Sequence, residues 1–240
     1  RAIEVGNPEI VRLLLKHPKI DVNTQSILDL TFLTSFFLFF YLWHLIWNFS
    51  NCGIPLFQLF IRKFLILFFN KTPLFICAEK DNQEIFHLVL RHRNIKFDDL
   101  VFHSCTFLKE IVIPSTVKKI GQFAFSGCTS LKKVLINDSV KSIEVFAFKG
   151  CKALESITIP FSVEWIGGYA FEDCTSLQQI EIHAAIESIE PYTFTKCSAL
   201  KELAIPSTVT SIGKYAFNCC SSISRIAIPS SVKAIGTYAF

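Results

Sequence analysis

The chain has 240 residues, 24 Lys and Arg against 20 Asp and Glu, and a formal net charge of +4 at pH 7. From Val101 onward there are 13 basic and 11 acidic side chains, so the sequence lacks the one-sided basic field of nucleic-acid-binding proteins, and nucleic acid is not an expected partner. The chain contains no methionine and ends on Phe240, whose position recurs throughout the second half, and we therefore expect a fragment of a longer repeat protein.

Two segments in the first half carry a helical pattern. Apolar residues recur there at i, i+3 and i+4, which is the spacing of a buried helical face. The sequences GNPEIVRLLLKHPKIDVN (6–23) and TPLFICAEKDNQEIFHLVLRH (72–92) also resemble ankyrin repeats. The resemblance implies a partial ankyrin repeat over residues 1–25 and an ankyrin repeat over residues 70–99. The patterned residues are Ile10, Leu13 and Leu14, and then Ile85, Leu88 and Val89.

Residues 26–69 interrupt the ankyrin pattern. Asn7 and Asn82 hold equivalent positions 75 residues apart, so about 42 residues are inserted relative to the ankyrin period of about 33. Residues 27–49 are apolar with Asp29 as their only charge, and as a helix they are long enough to cross a bilayer. Three interpretations stay open: a transmembrane segment, a buried core segment, and the translation of an unremoved intron rich in A/T codons.

Residues 100–240 repeat every 23 residues with the pattern L-x-x-I-x-I-P-x-x-V-x-x-I-G-x-x-A-F-x-x-C. A fixed period of this length is typical of a solenoid, in which each coil buries its apolar face against its neighbours. The sequence therefore predicts six stacked 23-residue units. The markers of the repeat are Cys105, Cys128, Cys151, Cys174, Cys197 and Cys220, together with Phe102, Phe125, Phe148, Phe171, Phe194, Phe217 and Phe240.

The repeat also predicts its own local structure. A proline such as Pro114 closes the first apolar stretch in four of the six units, and because proline ends ladder hydrogen bonding, that stretch is expected to be a very short strand. At Gly121 and its equivalents we expect a tight corner in which positive φ is cheap, with Glu144 and Glu190 filling this position in two coils.

The pattern closely resembles the BspA-like leucine-rich repeat family, most plainly in SGCTSLKKV (126–134) and IPSSVKAIGTYAF (228–240). The resemblance implies a leucine-rich-repeat solenoid with short parallel β-strands over residues 100–240. It also implies a binding surface, because the family is associated with surface proteins and adhesion.

The regularly spaced cysteines leave two interpretations open. Coils about 4.8 Å apart would bring neighbouring thiols near bridging distance. Parallel Cβ directions and the use of free cysteine as a small buried hydrophobe favour buried thiols instead. Because the sequence has no CxxC or Cys/His cluster and no catalytic motif, we expect no metal, no cofactor, no catalytic residue and no enzyme.

Binding is therefore the expected function. Residues between the inward positions of the first strand should point outward and line a surface across successive coils. The expected partner is a protein or an extracellular-matrix or cell-surface ligand, and the expected location is the membrane or cell surface. The alternative is a cytoplasmic ankyrin/leucine-rich-repeat scaffold, which applies if the insert is not part of the mature protein. The candidate partner-binding residues are Lys109, Glu110, Val112, Lys132, Lys133, Glu155, Thr158, Gln178, Gln179, Glu181, Lys201, Glu202 and Arg225.

Overall fold

The computed structural model describes Leu90 and residues 95–240. These residues form a parallel-strand solenoid, so the predicted 23-residue solenoid is confirmed. The predicted ankyrin helices and the apolar insert, with its transmembrane interpretation over residues 27–49, lie outside the described residues. Within the described part of the chain, no helix is long and apolar enough to cross a membrane.

Each coil contributes very short strands that stack into two columns along the solenoid. The strands are β1 (Glu110–Val112), β2 (Lys119–Ile120), β3 (Lys133–Leu135), β4 (Ser142–Ile143), β5 (Ser156–Ile159), β6 (Trp165–Ile166), β7 (Gln179–Ile182), β8 (Ser188–Ile189), β9 (Ser211–Ile212) and β10 (Ala234–Ile235). The first column contains β1, β3, β5 and β7, and the second column contains the other six strands. Two isolated parallel bridges, Gln179 to Glu202 and Ala204 to Ala227, continue the first column.

The coils stack in register. Ile111 pairs with Val134 in the first column and Ile143 with Ile166 in the second, and each of these parallel pairings is a shift of one repeat. In β1 and β3 an exposed, a buried and an exposed residue follow one another, as strand alternation requires. Equivalent apolar residues therefore lie on top of each other and form one continuous core.

The corner before each first strand is held by the marker phenylalanines and cysteines. Successive phenylalanine rings from Phe102 to Phe240 stack with centroids 5.1 Å to 5.6 Å apart. The carbonyl oxygen of Phe102 accepts from the Cys105 N–H at 2.9 Å and from the Cys128 thiol of the next coil at 3.0 Å. The same contact from thiol to phenylalanine carbonyl recurs at 3.0 Å to 3.2 Å from Cys151, Cys174, Cys197 and Cys220.

The buried-thiol interpretation is confirmed over the disulfide for four of the corner cysteines, which are buried and form no disulfide: Cys128, Cys151, Cys174 and Cys197. Burial raises the pKa of Cys151 and Cys174 well above that of an ordinary thiol, and it raises the pKa of Cys220 to about 12. Cys219 lies beside Cys220 and is exposed. The chain therefore contains cysteines of very different accessibility.

We expect native full-length protein treated with iodoacetamide to be modified at Cys219 and to remain unmodified at Cys151 and Cys174. The thiolate is the reactive form, and the raised pKa keeps the buried thiols protonated even at about pH 9, where an unfolded cysteine with a pKa of about 8.5 is largely ionised. Peptide mapping by mass spectrometry measures this, with denatured protein as the control in which all three sites react. Modification of Cys151 at the rate of Cys219 would contradict the buried thiol ladder.

A second column of stacked aromatic rings runs along the next position of the same corner and was not predicted. Its centroids are 4.5 Å to 5.2 Å apart, and all six residues have φ between 55° and 62°. A left-handed backbone costs a non-glycine residue about 1–2 kcal/mol. Here this conformation lets the backbone N–H form a hydrogen bond to the next coil, as when the Tyr169 N–H donates to the Pro191 carbonyl at 3.2 Å. The ladder residues are Phe123, Phe146, Tyr169, Tyr192, Tyr215 and Tyr238.

The predicted reason for the glycine at the Gly121 position was wrong. Among the described glycines, only Gly127 and Gly150 have positive φ. In the coils that have glycine at this position, the backbone of the preceding coil leaves no room for a side chain. A Cβ on Gly167 would lie 2.6 Å from the Val145 nitrogen, and one on Gly213 would lie 2.4 Å from the Pro191 nitrogen.

We expect Gly167→Ala to lower the free energy of unfolding by about 2 kcal/mol, because the added methyl group forces the two coils apart. Urea unfolding followed by circular dichroism measures the change. Gly150→Asn is the matched control: its Cβ meets nothing closer than 3.8 Å, and asparagine tolerates the left-handed backbone at φ 72°. Equal stability of Gly167→Ala and the unmodified chain would contradict the close approach.

The fourth coil departs from the regular structure. The second column divides into two sheets, β2–β4–β6 and β8–β9–β10, so β6 and β8 are unpaired with each other. In regular coils a hydroxyl binds the preceding coil, as Ser162 Oγ does by donating to the Val140 carbonyl at 2.7 Å, but Ala185 has no hydroxyl. Its neighbour Ala184 is 1% exposed, whereas the other residues at that position are exposed. In the first column the third and fourth coils stay joined, because β5 and β7 pair over four residues.

Candidate binding surface

The outward side of the first column is an exposed strip, called here the first-column face. The alternation that buries Ile111 and Ile157 directs the intervening side chains into solvent. Val112 is 58% exposed, and the next residue in its row, Leu135, is 49% exposed. All thirteen predicted partner-binding residues are exposed, namely Lys109, Glu110, Val112, Lys132, Lys133, Glu155, Thr158, Gln178, Gln179, Glu181, Lys201, Glu202 and Arg225.

Register sets which of these side chains lie side by side. Glu110 pairs with Lys133 across β1 and β3, and Thr158 pairs with Glu181 across β5 and β7. Glu110 and Arg225 are five repeats apart, so the thirteen residues line a strip rather than one compact cluster. Such a strip is suited to contact with an extended surface, and a binding role for each individual residue stays a prediction.

Charge is unevenly distributed along the solenoid. Residues 101–152 contain eight lysines and three carboxylates, and residues 196–240 contain five basic residues and one carboxylate. Residues 153–195, called here the acidic coils, contain seven carboxylates and no lysine or arginine. Because unlike charges attract over about a Debye length, the acidic coils favour a cationic partner even though the whole chain is weakly basic.

Three of the seven carboxylates in the acidic coils pair with lysines of the preceding coil. Lys141 lies 2.8 Å from Glu164, Lys149 lies 2.7 Å from Glu172, and Lys152 lies 3.5 Å from Asp173. The Lys141–Glu164 pair is exposed on both sides, and such pairs contribute about 0–1 kcal/mol. Within the described residues, no lysine or arginine pairs with the other four carboxylates, which are Glu155, Glu181, Glu187 and Glu190.

Phe161 lies in the acidic coils and was not predicted as a functional residue. It is 78% exposed, and its ring stacks on His183 with centroids 5.1 Å apart. His183 Nε2 lies 3.6 Å from a carboxylate oxygen of Glu181, and Gln179 Nε2 donates to the other at 2.9 Å. We call Phe161, Gln179, Glu181 and His183 the Phe161 cluster. Its sequence signal is a phenylalanine at a position where Ser115 and its equivalents are small or polar.

The possible metal ligands of the described residues include two histidines, His103 and His183. No group of three or more His, Cys, Asp or Glu among them is placed to hold a metal ion. Burial lowers the pKa of His103, whose ring packs edge-on against Phe123 in the second aromatic column. His103 therefore packs as a neutral ring at pH 7, and of the two histidines that the structure describes, His183 is the exposed one.

Comparison with solved structures found similar leucine-rich repeat proteins. A leucine-rich repeat protein from Bacteroides ovatus is 33% identical with a TM-score of 0.52, and the match covers 59% of this chain and 43% of that one. A leucine-rich repeat protein from Eubacterium ventriosum is 29% identical with a TM-score of 0.49, covering 55% and 42% of the two chains. The match thus spans less than half of either solved chain. Comparison with curated proteins gave no match.

A parallel solenoid whose variable outward residues cover a fixed apolar core defines the class of leucine-rich repeat proteins, which are typically interaction modules. The family model described as "BspA type Leucine rich repeat region" matches six copies over residues 95–185 and 129–240. Together these ranges cover more than half of the 240 residues. The chain belongs to the BspA-type leucine-rich repeat family.

Proposed function

We propose that the protein is a non-enzymatic binding module that presents its first-column face to a protein partner or to an extracellular-matrix or cell-surface ligand. In this proposal it is a surface-antigen-like adhesion or interaction protein. The solenoid acts as a rigid support, and the exposed side chains of successive coils together form the recognition surface.

One observation carries the proposal: the inward and outward positions of the first column vary differently. The inward position holds Ile111, Val134, Ile157 and Ile180, all buried and all branched aliphatic. The outward position beside it holds Glu110, Lys133, Ser156, Gln179 and Glu202, all exposed. The core requirement therefore leaves this face free to carry a specific pattern of charges, amides and apolar groups.

Photo-crosslinking from the first-column face tests this proposal. In cells that produce the full chain, benzoylphenylalanine in place of Lys133 or Glu202 should give covalent adducts with another polypeptide, because both residues lie on the proposed contact surface. The same amino acid in place of the exposed Lys196, at the phenylalanine–cysteine corner and outside the first-column face, is the matched control. Gel shifts and mass spectrometry identify the adducts. Equal yield from Lys196, or no adduct from either face position, would contradict the proposal.

A second candidate is an intracellular ankyrin/leucine-rich-repeat scaffold. It is favoured by the cysteines that form no disulfide, of which Cys219 is exposed; the others are Cys128, Cys151, Cys174, Cys197 and Cys220. Free thiols are typical of reducing compartments, whereas disulfides persist in oxidising ones. The family resemblance favours the surface instead, and the two candidates differ in a property that can be measured.

Labelling of intact cells with a membrane-impermeant maleimide separates the two locations. If the solenoid is displayed at the surface, we expect the peptide containing Cys219 to be labelled before lysis, because this thiol is exposed. The readout is mass spectrometry of the isolated full chain, and Cys219→Ser is the control for assignment of the labelled peptide. Labelling only after lysis would support the intracellular scaffold.

A further inference from the structure

Phe161 breaks the pattern of its position in the repeat. Serine occupies this position in three coils, aspartate in another, and Ala184 fills it in the fourth coil. A single exposed hydrophobic side chain is ordinary on a protein surface. Phe161 differs from that case because it is 78% exposed and is held by a ring from the neighbouring coil.

Two departures from the repeat place that second ring. The position that is proline in four of the six coils holds His183 in the fourth coil, directly after β7. Its backbone N–H donates to the Ile159 carbonyl at 3.0 Å, and its ring lies nearly parallel to that of Phe161, at 22°. One face of Phe161 is thereby stacked and the ring is oriented before any partner arrives, which lowers the ordering cost of binding.

A carboxylate adjoins the stacked rings. Glu181 is half exposed; one of its oxygens accepts from Gln179 Nε2 at 2.9 Å, and the other lies 3.6 Å from His183 Nε2. Around it the acidic coils have no lysine or arginine of their own, and among the described residues no basic side chain reaches Glu155 or Glu187 from a neighbouring coil. The Phe161 cluster thus combines an open aromatic ring with an oriented carboxylate in a negative field.

We propose that the Phe161 cluster binds an arginine-bearing segment of a protein partner. A guanidinium group is planar and permanently charged, so it stacks on an aromatic ring and donates paired hydrogen bonds to a carboxylate at the same time. In this site it stacks on Phe161 and donates to Glu181. Lysine satisfies the charge but not the planar stacking, and it binds more weakly. The inference rests on the proposed function and names the chemistry of the partner.

The test uses the full chain and three fluorescein-labelled synthetic peptides of equal length and leucine content, carrying arginine, lysine or glutamate at the same positions. Fluorescence anisotropy measures their affinities. We expect the arginine peptide to bind more tightly than the lysine peptide and the glutamate peptide not to bind. Raising NaCl from about 0.05 M to about 0.5 M should weaken binding, because salt screens the acidic coils.

Matched variants assign the binding to the cluster. Phe161→Ser introduces the residue that Ser115, Ser207 and Ser230 already provide in other coils, so the fold is retained, and affinity for the arginine peptide should fall about tenfold. Glu181→Gln should lower it about fivefold. Asp98→Asn, a carboxylate change at an exposed residue that lies outside both the acidic coils and the first-column face, should leave it unchanged. Circular dichroism checks that each variant is folded.

Unchanged affinity in folded Phe161→Ser, or equal binding of the glutamate peptide, would overturn the inference. So would self-association of the chain that Phe161→Ser abolishes, because the occupant would then be a second copy. Photo-crosslinking from Lys133 and Glu202 separates the two proposals. If the peptide fails and those adducts persist, only the arginine inference falls; if both are absent, the proposed binding function falls with it.

Discussion

The hydrogen bonds at the phenylalanine–cysteine corner tie each coil to the next. The carbonyl of Phe125 accepts from the N–H of Cys128 within its own coil and from the thiol of Cys151 in the following one. The N–H of Phe125 donates onward to the Ala147 carbonyl. These groups lie in the core, where an unpaired polar group costs about 1–3 kcal/mol. A one-residue shift between coils would break the two bonds that join neighbouring coils, so the corner holds the coils in register.

The left-handed residues follow from the same requirement. At the corner, the N–H groups of Tyr169 and Phe171 donate to the next coil, whereas the N–H of Ala170 between them donates within its own coil to the Gly167 carbonyl. The aromatic residues at this corner adopt φ near 60°, and their stacking offsets the cost of the left-handed backbone. The ring centroids of Tyr169 and Tyr192, for example, are 4.5 Å apart. Each coil supplies one layer of both ring columns, and a single layer has nothing to stack against. Stability therefore belongs to neighbouring coils together.

Periodicity predicts what the repeat keeps constant. The 23-residue shift and the inward Ile111 and Val134 followed from spacing and agree with the structure. The buried thiols followed from the expected Cβ directions and the usual burial of free cysteine, and they agree as well. The sign of φ at the Gly121 position could not be predicted in this way. Spacing shows that a glycine recurs, but not whether the position requires a positive φ or the absence of a side chain. At Gly167 the reason is space, set by the backbone of another coil. The second aromatic column was visible as a recurring Phe or Tyr, but its left-handed backbone depends on hydrogen bonds between coils.

The candidate site lies where the repeat fails, and this explains why a consensus pattern missed it. Averaging six copies removes Phe161, His183 and Ala185 as exceptions, yet these exceptions are concentrated at the junction of the third and fourth coils. At this junction β5 and β7 of the first column pair over four residues, whereas β6 and β8 of the second column do not pair. The strand pairing across this junction is therefore continuous in the first column and interrupted in the second. Conserving the core at that junction requires only the inward residues. The outward exceptions are therefore free to serve recognition, and an aromatic pair beside an oriented carboxylate is a combination that recognition uses and packing does not need.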